Sequence, residues 1–558
     1  MWLAAACPIL VLLFLLLKCR WKAGQAAAVG FAAAGAIALL FYRTSVPQLA
    51  VEAAKGLWNA LSILLVIWTA IALYEIMVQA DAFSSLRGGI ASIAKNELLA
   101  LLLAGYVFPS FLQGITGFGV AVAVGAPLLA GLGVKPKWAV VAVLLCHSWG
   151  GTFGTLALAW QALVTQSGAD PATTAAAARY AAAFLWLGNL TGPLVMCWLY
   201  GGKHAVRMGL PAVLLISLIH GGGELLLAAD NDVLACFLPA AAALAAALLL
   251  ARFSPYKKAW RYEKSNMMDR TVKPLPPQTT RGLHRAFMPY YILTALTVAC
   301  LLIPPVKRVL GSLKLGFSFP GFETGYGHAT AAETCFSPMT PLLHPGFFLL
   351  VTCVLSYGLF KKWGMLPAGS MKRVARSTVK KTVPSSLAII GFILTSKMMG
   401  CSGEVIVLAR GLAAVLGSAY PLVAPLIGLL GSFMTSSNMS SNILFAEFQV
   451  AMSGLVGVNS AATLGAQTAG GAIGNAICPG NLVLGAAHQD VRGNADAAQL
   501  LHAVLRWFGF EFSRRVQIWN QRYMDKRAVF RAHAPANLAD GLKERLALDV
   551  APRAADLH

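Results

Sequence analysis

Charged residues are scarce in this chain, 12% of its 558 positions, where an ordinary soluble domain carries roughly 25%. That scarcity excludes a soluble globular surface and places most of the chain in a lipid bilayer. Acids are scarcer still, 22 Asp and Glu against 44 Lys and Arg, for a formal net charge of +22. The basic excess sits in loops beside helix ends rather than on one soluble face, so no nucleic-acid partner is expected. Ten cysteines show no Cys-x-x-Cys pair and no metal-ligand spacing, which excludes a disulfide framework and points to no metal. Cys146, Cys197 and Cys300 lie in apolar runs, where a thiol behaves as a small hydrophobe. The chain also lacks a Gly-x-Ser-x-Gly elbow, a His-Glu-x-x-His pair and paired catalytic carboxylates. A membrane enzyme is therefore the weaker reading, and no cofactor is expected. No basic stretch precedes the first apolar run, so a signal peptide is not expected either.

What the chain has in abundance is apolar sequence, 58% of all residues. Runs of spanning length lie near 2–17, 24–42, 57–79, 98–110, 137–160, 178–200, 210–228, 232–251, 286–303, 345–360 and 384–399. The expectation is an all-α polytopic membrane protein with ten to twelve transmembrane helices and two re-entrant hairpins. Residues 252–285 carry nine Lys and Arg against Glu263 and Asp269, and 361–381 carry seven with no acid. Positive-inside bias makes both loops cytoplasmic and puts 304–344 outside. Lys18, Arg20 and Lys22 follow the first run, so the N-terminus is also expected outside, in a bacterial-type inner membrane.

Two of the apolar regions are interrupted by polar and glycine residues. The first reads Phe111-Leu112-Gln113-Gly114-Ile115-Thr116-Gly117-Phe118-Gly119, and the second runs from Ser432 through Thr435-Ser436-Ser437-Asn438-Met439-Ser440-Ser441-Asn442, about 320 residues downstream. Each precedes a glycine-rich stretch read as a turn, Gly150-Gly151-Thr152-Phe153-Gly154 and Gly470-Gly471-Ala472-Ile473-Gly474. Tyr74-Glu75 likewise answers Ser396-Lys397, and Gly133-Val134-Lys135-Pro136 answers Gly457-Val458-Asn459-Ser460. The expectation is two structural repeats, each with a re-entrant hairpin. An odd number of spans between them would make them inverted, the arrangement favoured here, although sequence leaves that parity open. The domains read as a membrane region 1–251 with its hairpin near 109–135, a basic linker 252–285, a membrane region 286–490 with its hairpin near 431–458, and a basic tail 491–558.

Irregular backbone survives at membrane depth only where it lines a protein-enclosed cavity, and paired interruptions in two halves point to a transporter's binding site. The candidate substrate-binding residues are Gln113, Thr116, Gly117, Gly119, Ser436, Asn438, Ser440, Ser441, Asn442, Gln467 and Asn475. Unwound half-helices aim partial positive charge at an anion, so a small carboxylate is a natural guest. Close packing of small residues is the alternative, but it calls for spaced small residues rather than a polar cluster. Ionisable residues inside apolar runs are candidates for proton or ion coupling: His147, Glu447, Lys397 and Glu75, with His220, Glu224 and Glu404 as further buried candidates. His147 leads directly into the first glycine turn and titrates near neutral pH when solvated. Glu75 and Lys397 occupy equivalent repeat positions with opposite charge, which suggests a pair across the pseudo-axis or snorkelling to the interface.

These stretches resemble the lactate permease family, secondary transporters that carry lactate, glycolate and related 2-hydroxymonocarboxylates with protons. The resemblance is carried by Phe111 through Pro136, by Gly431 through Phe445 and by Gly470 through Pro479. It implies proton-coupled import of a small organic anion by alternating access, and an elevator architecture like that of the wider ion-transporter group. A homodimer is compatible with it. Sodium coupling, export, or another anion such as a sulfonate is the alternative. Well-known members have Glu where this chain has Gln113, Asp where it has Asn438 and Lys where it has Asn475. Coupling must then run through another group, such as His147 or Glu447, or through a different ion. The family's final span is replaced here by the basic tail after Arg506.

Overall fold

The computed structural model describes residues 1–117, 119–271 and 280–487. The tail 491–558 and part of the linker therefore lie outside the described residues.

Apolar runs bounded by capping residues set the helices. They are α1 Trp2–Leu13, α2 Ala23–Leu40, α3 Val46–Gln79, α4 Ala82–Ile93, α5 Glu97–Ile115, α6 Val120–Gly131, α7 Pro136–Trp149, α8 Gly154–Ser167 and α9 Pro171–Leu227. After them come α10 Asp232–Phe253, α11 Thr280–Leu302, α12 Pro304–Leu310, α13 Pro345–Lys362, α14 Ser370–Ser402 and α15 Glu404–Leu416. The chain then forms α16 Tyr420–Thr435, α17 Asn438–Val456, α18 Ser460–Ile477 and α19 Pro479–Ala487. A capping box of Ser45 and Gln48 starts α3, and the carboxylate of Asp170 accepts two backbone N–H groups at the start of α9.

Among the described residues eight helices are long and apolar enough to cross a membrane, or nine if the bent pair α7 and α8 is one span. That is fewer than the ten to twelve expected, for reasons visible in the chain. α9 joins the two runs 178–200 and 210–228 in one helix of 57 residues, about 86 Å at 1.5 Å per residue, too long for one crossing of a core roughly 30 Å thick. It bends where Gly202 takes φ +60°. The run 137–160 is broken at 150–153 with a 48° bend, at the glycine-rich stretch read as a turn.

The expected all-α class is modified between α12 and α13 by two small antiparallel pairs of strands. β1 Leu315–Phe319 pairs with β4 Glu333–Met339, and β2 Phe322–Glu323 pairs with β3 Ala329–Thr330. This layer lies at one end of the bundle, with the Gly325 N–H donating to the Arg43 carbonyl and the Tyr42 ring 5.0 Å from Tyr326. Tyr42 Oη also donates to the Met1 carbonyl at 3.4 Å, so the first residue belongs to the same end.

Loop 252–271 defines the opposite end, and it holds both feet of the first hairpin. The Glu97 N–H donates to the Trp260 carbonyl at 2.9 Å, and the Lys135 N–H donates to the Met267 carbonyl at 2.9 Å. α5 and α6 therefore enter and leave at one end with their tip inside. α16 and α17 form a second hairpin, antiparallel along its length, where Tyr420 Oη donates to Gln449 Oε1 and Ser441 Oγ donates to the Gly428 carbonyl at 2.8 Å. α3 and α14 also run antiparallel. Glu75 meets Lys381 at 2.6 Å, Trp68 meets Ser386 at 3.1 Å, and Gly56 lies beside Leu394.

One expected turn is not a turn. Gly470 to Gly474 lie inside α18, and the break comes later at Cys478, whose backbone is extended. These glycines serve packing instead, because a Cβ on Gly470 would stand 2.0 Å from the Pro425 carbonyl oxygen and one on Gly474 would stand 2.3 Å from that of Leu429.

Candidate functional site

Four breaks in the helices lie against one another. The first, between α5 and α6, turns through Gly117 at φ +53° and Gly119 at φ +78°. Both require glycine twice over: a Cβ on Gly117 would lie 1.8 Å from Thr155 Oγ1, and one on Gly119 would lie 2.2 Å from Leu484 Cδ2. The second break, 150–153, opens α8, where Thr155, Leu156 and Ala157 are all left-handed at φ +54°, +53° and +66°. Left-handed backbone costs an L-residue about 1–2 kcal/mol, and three in a row inside a buried segment mark stored strain of the kind found at functional sites. The third break is Ser436 at φ +55° and extended Ser437, whose hydroxyl accepts the Ser440 N–H. The fourth is at Cys478, and Gly480 beyond it lies against Ser436.

Asn438 ties two of the breaks together. Its Nδ2 donates to the Gly151 carbonyl at 3.0 Å and stands 3.3 Å from Thr152 Oγ1 and 3.4 Å from Thr468 Oγ1. Asn442 Nδ2 donates to the Ala159 carbonyl at 2.9 Å and to Thr468 Oγ1 at 2.9 Å. Asn475 Nδ2 meets His147 Nε2 at 3.0 Å, so residues from the two halves share one contact. Gln113 Nε2 donates to the Gly150 carbonyl at 3.4 Å. Several buried atoms here have no hydrogen-bond partner: Gln113 Oε1, His147 Nδ1, Asn438 Oδ1, Asn442 Oδ1 and Ser432 Oγ. Such atoms are costly to leave unpaired and are suited to a polar solute. α6, α8, α17 and α19 each begin at one of these breaks, and a helix N-terminus favours an anion.

The other candidates divide. Thr116 caps its own helix by donating to the Leu112 carbonyl at 2.9 Å. Ser440 is buried beside the third break. Ser441 and Gln467 face away from it: Gln467 Nε2 donates to Ser441 Oγ at 3.1 Å, and Gln467 Oε1 accepts from Gln449 Nε2 at 2.7 Å. That chain braces the second hairpin. Glu75 and Lys397 do not pair. Antiparallel packing of α3 on α14 sends them to opposite ends, where Glu75 meets Lys381 and Lys397 stands 5.4 Å over the Phe336 ring. Glu447 lies beside Gly400 near the strand layer, about 14 Å along α17 from Asn438 at 1.5 Å per residue. Of the coupling candidates, His147 alone touches the breaks.

Sequence reading missed Thr152, Thr468 and Gln449 as members of this network. Thr152 was legible as the polar residue inside the first glycine turn. Thr468 and Gln449 carried no signal, because their roles follow from which helices meet.

The family model described as L-lactate permease matches residues 1–501. The chain belongs to that family. The L-lactate permease of Halalkalibacterium halodurans is 28% identical over 505 residues, covering 88% of this chain and 91% of its own. The L-lactate permease of Escherichia coli K12 is 28% identical over 513 residues, covering 87% and 89%. The glycolate permease GlcA of the same strain is 25% identical over 521 residues, covering 87% and 89%. Among solved structures the YdaH transporter of Alcanivorax borkumensis aligns with a TM-score of 0.44 at 12% identity over 86% of this chain and 89% of that one, too distant to bear on the reading. Members of the family are transporters rather than enzymes.

Proposed function

We propose that this chain is a secondary active transporter that imports a small 2-hydroxymonocarboxylate of the lactate or glycolate kind by proton symport. The observation that carries the reading is the meeting of four helix breaks from both halves, tied by Asn438, with unpartnered buried amide oxygens and the starts of four helices beside them. The N–H groups suit the carboxylate, and the amide oxygens suit the 2-hydroxyl as donor. We read α3 to α8 and α14 to α19 as inverted repeats, because α3 and α14 are antiparallel and each is followed by a short helix, a hairpin and a broken span. The hairpins would then gate from opposite sides as one repeat-derived body slides in an elevator motion.

A carboxylic acid of this class is ionised at neutral pH, and an inside-negative potential opposes its entry by about 2.3 kcal/mol per 100 mV. One accompanying proton cancels that cost. No Asp or Glu occurs in the four described breaks or among the side chains bonded to them, so His147 is the group we assign to carry the proton. Sodium coupling is the second reading, supported by the neutral amide oxygens of Gln113, Asn438 and Asn442, a donor set of the type that holds sodium at unwound segments. The test is uptake of labelled lactate and glycolate into proteoliposomes under an imposed pH gradient. Uptake that vanishes when the gradient is collapsed, and that His147→Gln uncouples from it, supports the proposal. Uptake that needs sodium and ignores the pH gradient overturns the proton assignment.

A further inference from the structure

We propose that His220, Glu224 and Cys236 form a binding site for a borderline-soft divalent metal ion of the zinc or cobalt type, separate from the four breaks. His220 sits in a π-helical turn, Leu218–Gly222, and Glu224 follows one turn later on the same face. Cys236 lies at the junction of Asp232–Ala235 and Phe237–Phe253. A π-turn inside an α-helix often marks a functional position. This one is packed tightly, since a Cβ on Gly221 would stand 2.1 Å from the Trp186 ring.

The three side chains are 1%, 3% and 0% exposed, and their ligand atoms all lie within 4.8 Å of one another. His220 Nε2 is 3.9 Å from Glu224 Oε2 and 4.0 Å from Cys236 Sγ. Bond lengths of about 2.0–2.3 Å in tetrahedral geometry place such atoms roughly 3.3–3.5 Å apart, so closing onto an ion needs a contraction of about 0.5 Å for the two histidine distances and up to about 1.3 Å for the widest pair. Among the described residues, Glu224 Oε1 is buried without a hydrogen-bond partner. Nitrogen, carboxylate and thiol together select zinc-like ions over magnesium or calcium.

The surroundings hold the histidine as a ligand is held. Its Nδ1 lies 2.8 Å from the Asn189 side-chain amide, and Asn189 is itself bonded by Tyr106 Oη at 2.8 Å. With the amide turned so that its oxygen accepts Nδ1–H, Nε2 is left free for a metal; oxygen and nitrogen of an amide are interchangeable in such an assignment. Outer-shell partners of this type fix ring orientation in metal sites. Binding a divalent ion releases the Cys236 proton, and Glu224 with the thiolate then balances the charge. The ion would join the second half of α9 to α10, behind Tyr106 and Trp149, whose rings meet at 5.6 Å. It would act as a clamp on the wall next to the first hairpin.

Cobalt titration of the purified full chain, stripped with chelator, tests this. The expected result is about one cobalt per chain by elemental analysis, a thiolate-to-cobalt charge-transfer band, and a zinc-dependent rise in Tm. Cys236→Ser is expected to abolish the band and weaken cobalt binding at least tenfold while eluting as the wild type does. Should that variant fail to fold, Glu224→Gln provides the second readout, with the same weakening expected and the band retained at high cobalt. Wild type that binds no cobalt, or a band that survives in Cys236→Ser, overturns the proposal; the exposed Cys19 and Cys335 would be the source in the second case.

Discussion

At the scale of single residues the site is a set of neutral amides and hydroxyls, and their value lies in what they bridge. Asn438 holds the Gly151 carbonyl with its amide and keeps its own Oδ1 unpaired. Removing a buried hydrogen-bond partner costs about 1–3 kcal/mol, and here the loss falls on a backbone turn that shapes the site. Asn438→Ala is therefore expected to lower uptake at least tenfold in proteoliposomes while the protein still inserts and purifies. Uptake at the wild-type rate would remove Asn438 from the site. Residue identity was legible at this scale where a polar side chain interrupts an apolar run, as at Gln113, Asn438 and His147. It was not legible for Glu75 and Lys397, whose equivalence in the repeats suggested a pair. Two helices in antiparallel contact carry equivalent positions to opposite ends, and sequence does not state their direction.

At the scale of elements, the placement of the breaks was largely written in glycine and in Ser/Thr/Asn clusters, but the same composition has two uses. Gly117 and Gly119 are left-handed corners, whereas Gly470 and Gly474 let α18 touch α16 backbone to backbone. The difference depends on the partner helix, so the second glycine stretch read as a turn. This separates two outcomes of mutation. Gly470→Ala places a methyl 2.0 Å from the Pro425 carbonyl oxygen, and neither backbone can yield as a flexible side chain would. The expected result is a Tm several degrees lower and poor recovery from detergent, with any surviving protein keeping wild-type substrate affinity. A normal Tm would show that the two helices are not in backbone contact. The strand layer was the element least visible beforehand, because 315–339 mixes short alternating runs with turn residues and reads as loop. It bears a titratable group outside the membrane, His328, whose pKa is lowered from 6.5 by burial against the Gly403 end of α14. A lowered folded value means that the docked layer resists protonation. Its docking is complete above about pH 6.5 and weakens as the pH falls through the window below that value. Proteolysis of intact protein at pH 5.5 is expected to cut this layer faster than at pH 7.5, and His328→Gln to remove part of the difference.

At the scale of the whole molecule, charge and structure agree on two ends. Arg285 stacks over Trp363 at 5.5 Å, joining the start of α11 to the end of α13 beside the loops rich in Lys and Arg, while the strand layer and Met1 share the other end. We propose from positive-inside bias that the first end faces the cytoplasm, and the chain carries its own reporters for testing that. Cys335 is exposed in β4 and Cys19 is exposed just after α1, at opposite ends. The remaining described cysteines are buried or half-buried, so two thiols dominate labelling. In intact cells a membrane-impermeant maleimide is expected to modify Cys335 and spare Cys19, as read by peptide mass; opening the cells should add Cys19. Labelling of Cys19 alone would turn the molecule over in the membrane. The positive potential of the basic loops would then face outward, and the first hairpin, whose feet rest on 260–268, would gate from the outside instead of from the cytoplasm. Import and export would exchange their gates, so this labelling pattern decides which hairpin must open first for uptake.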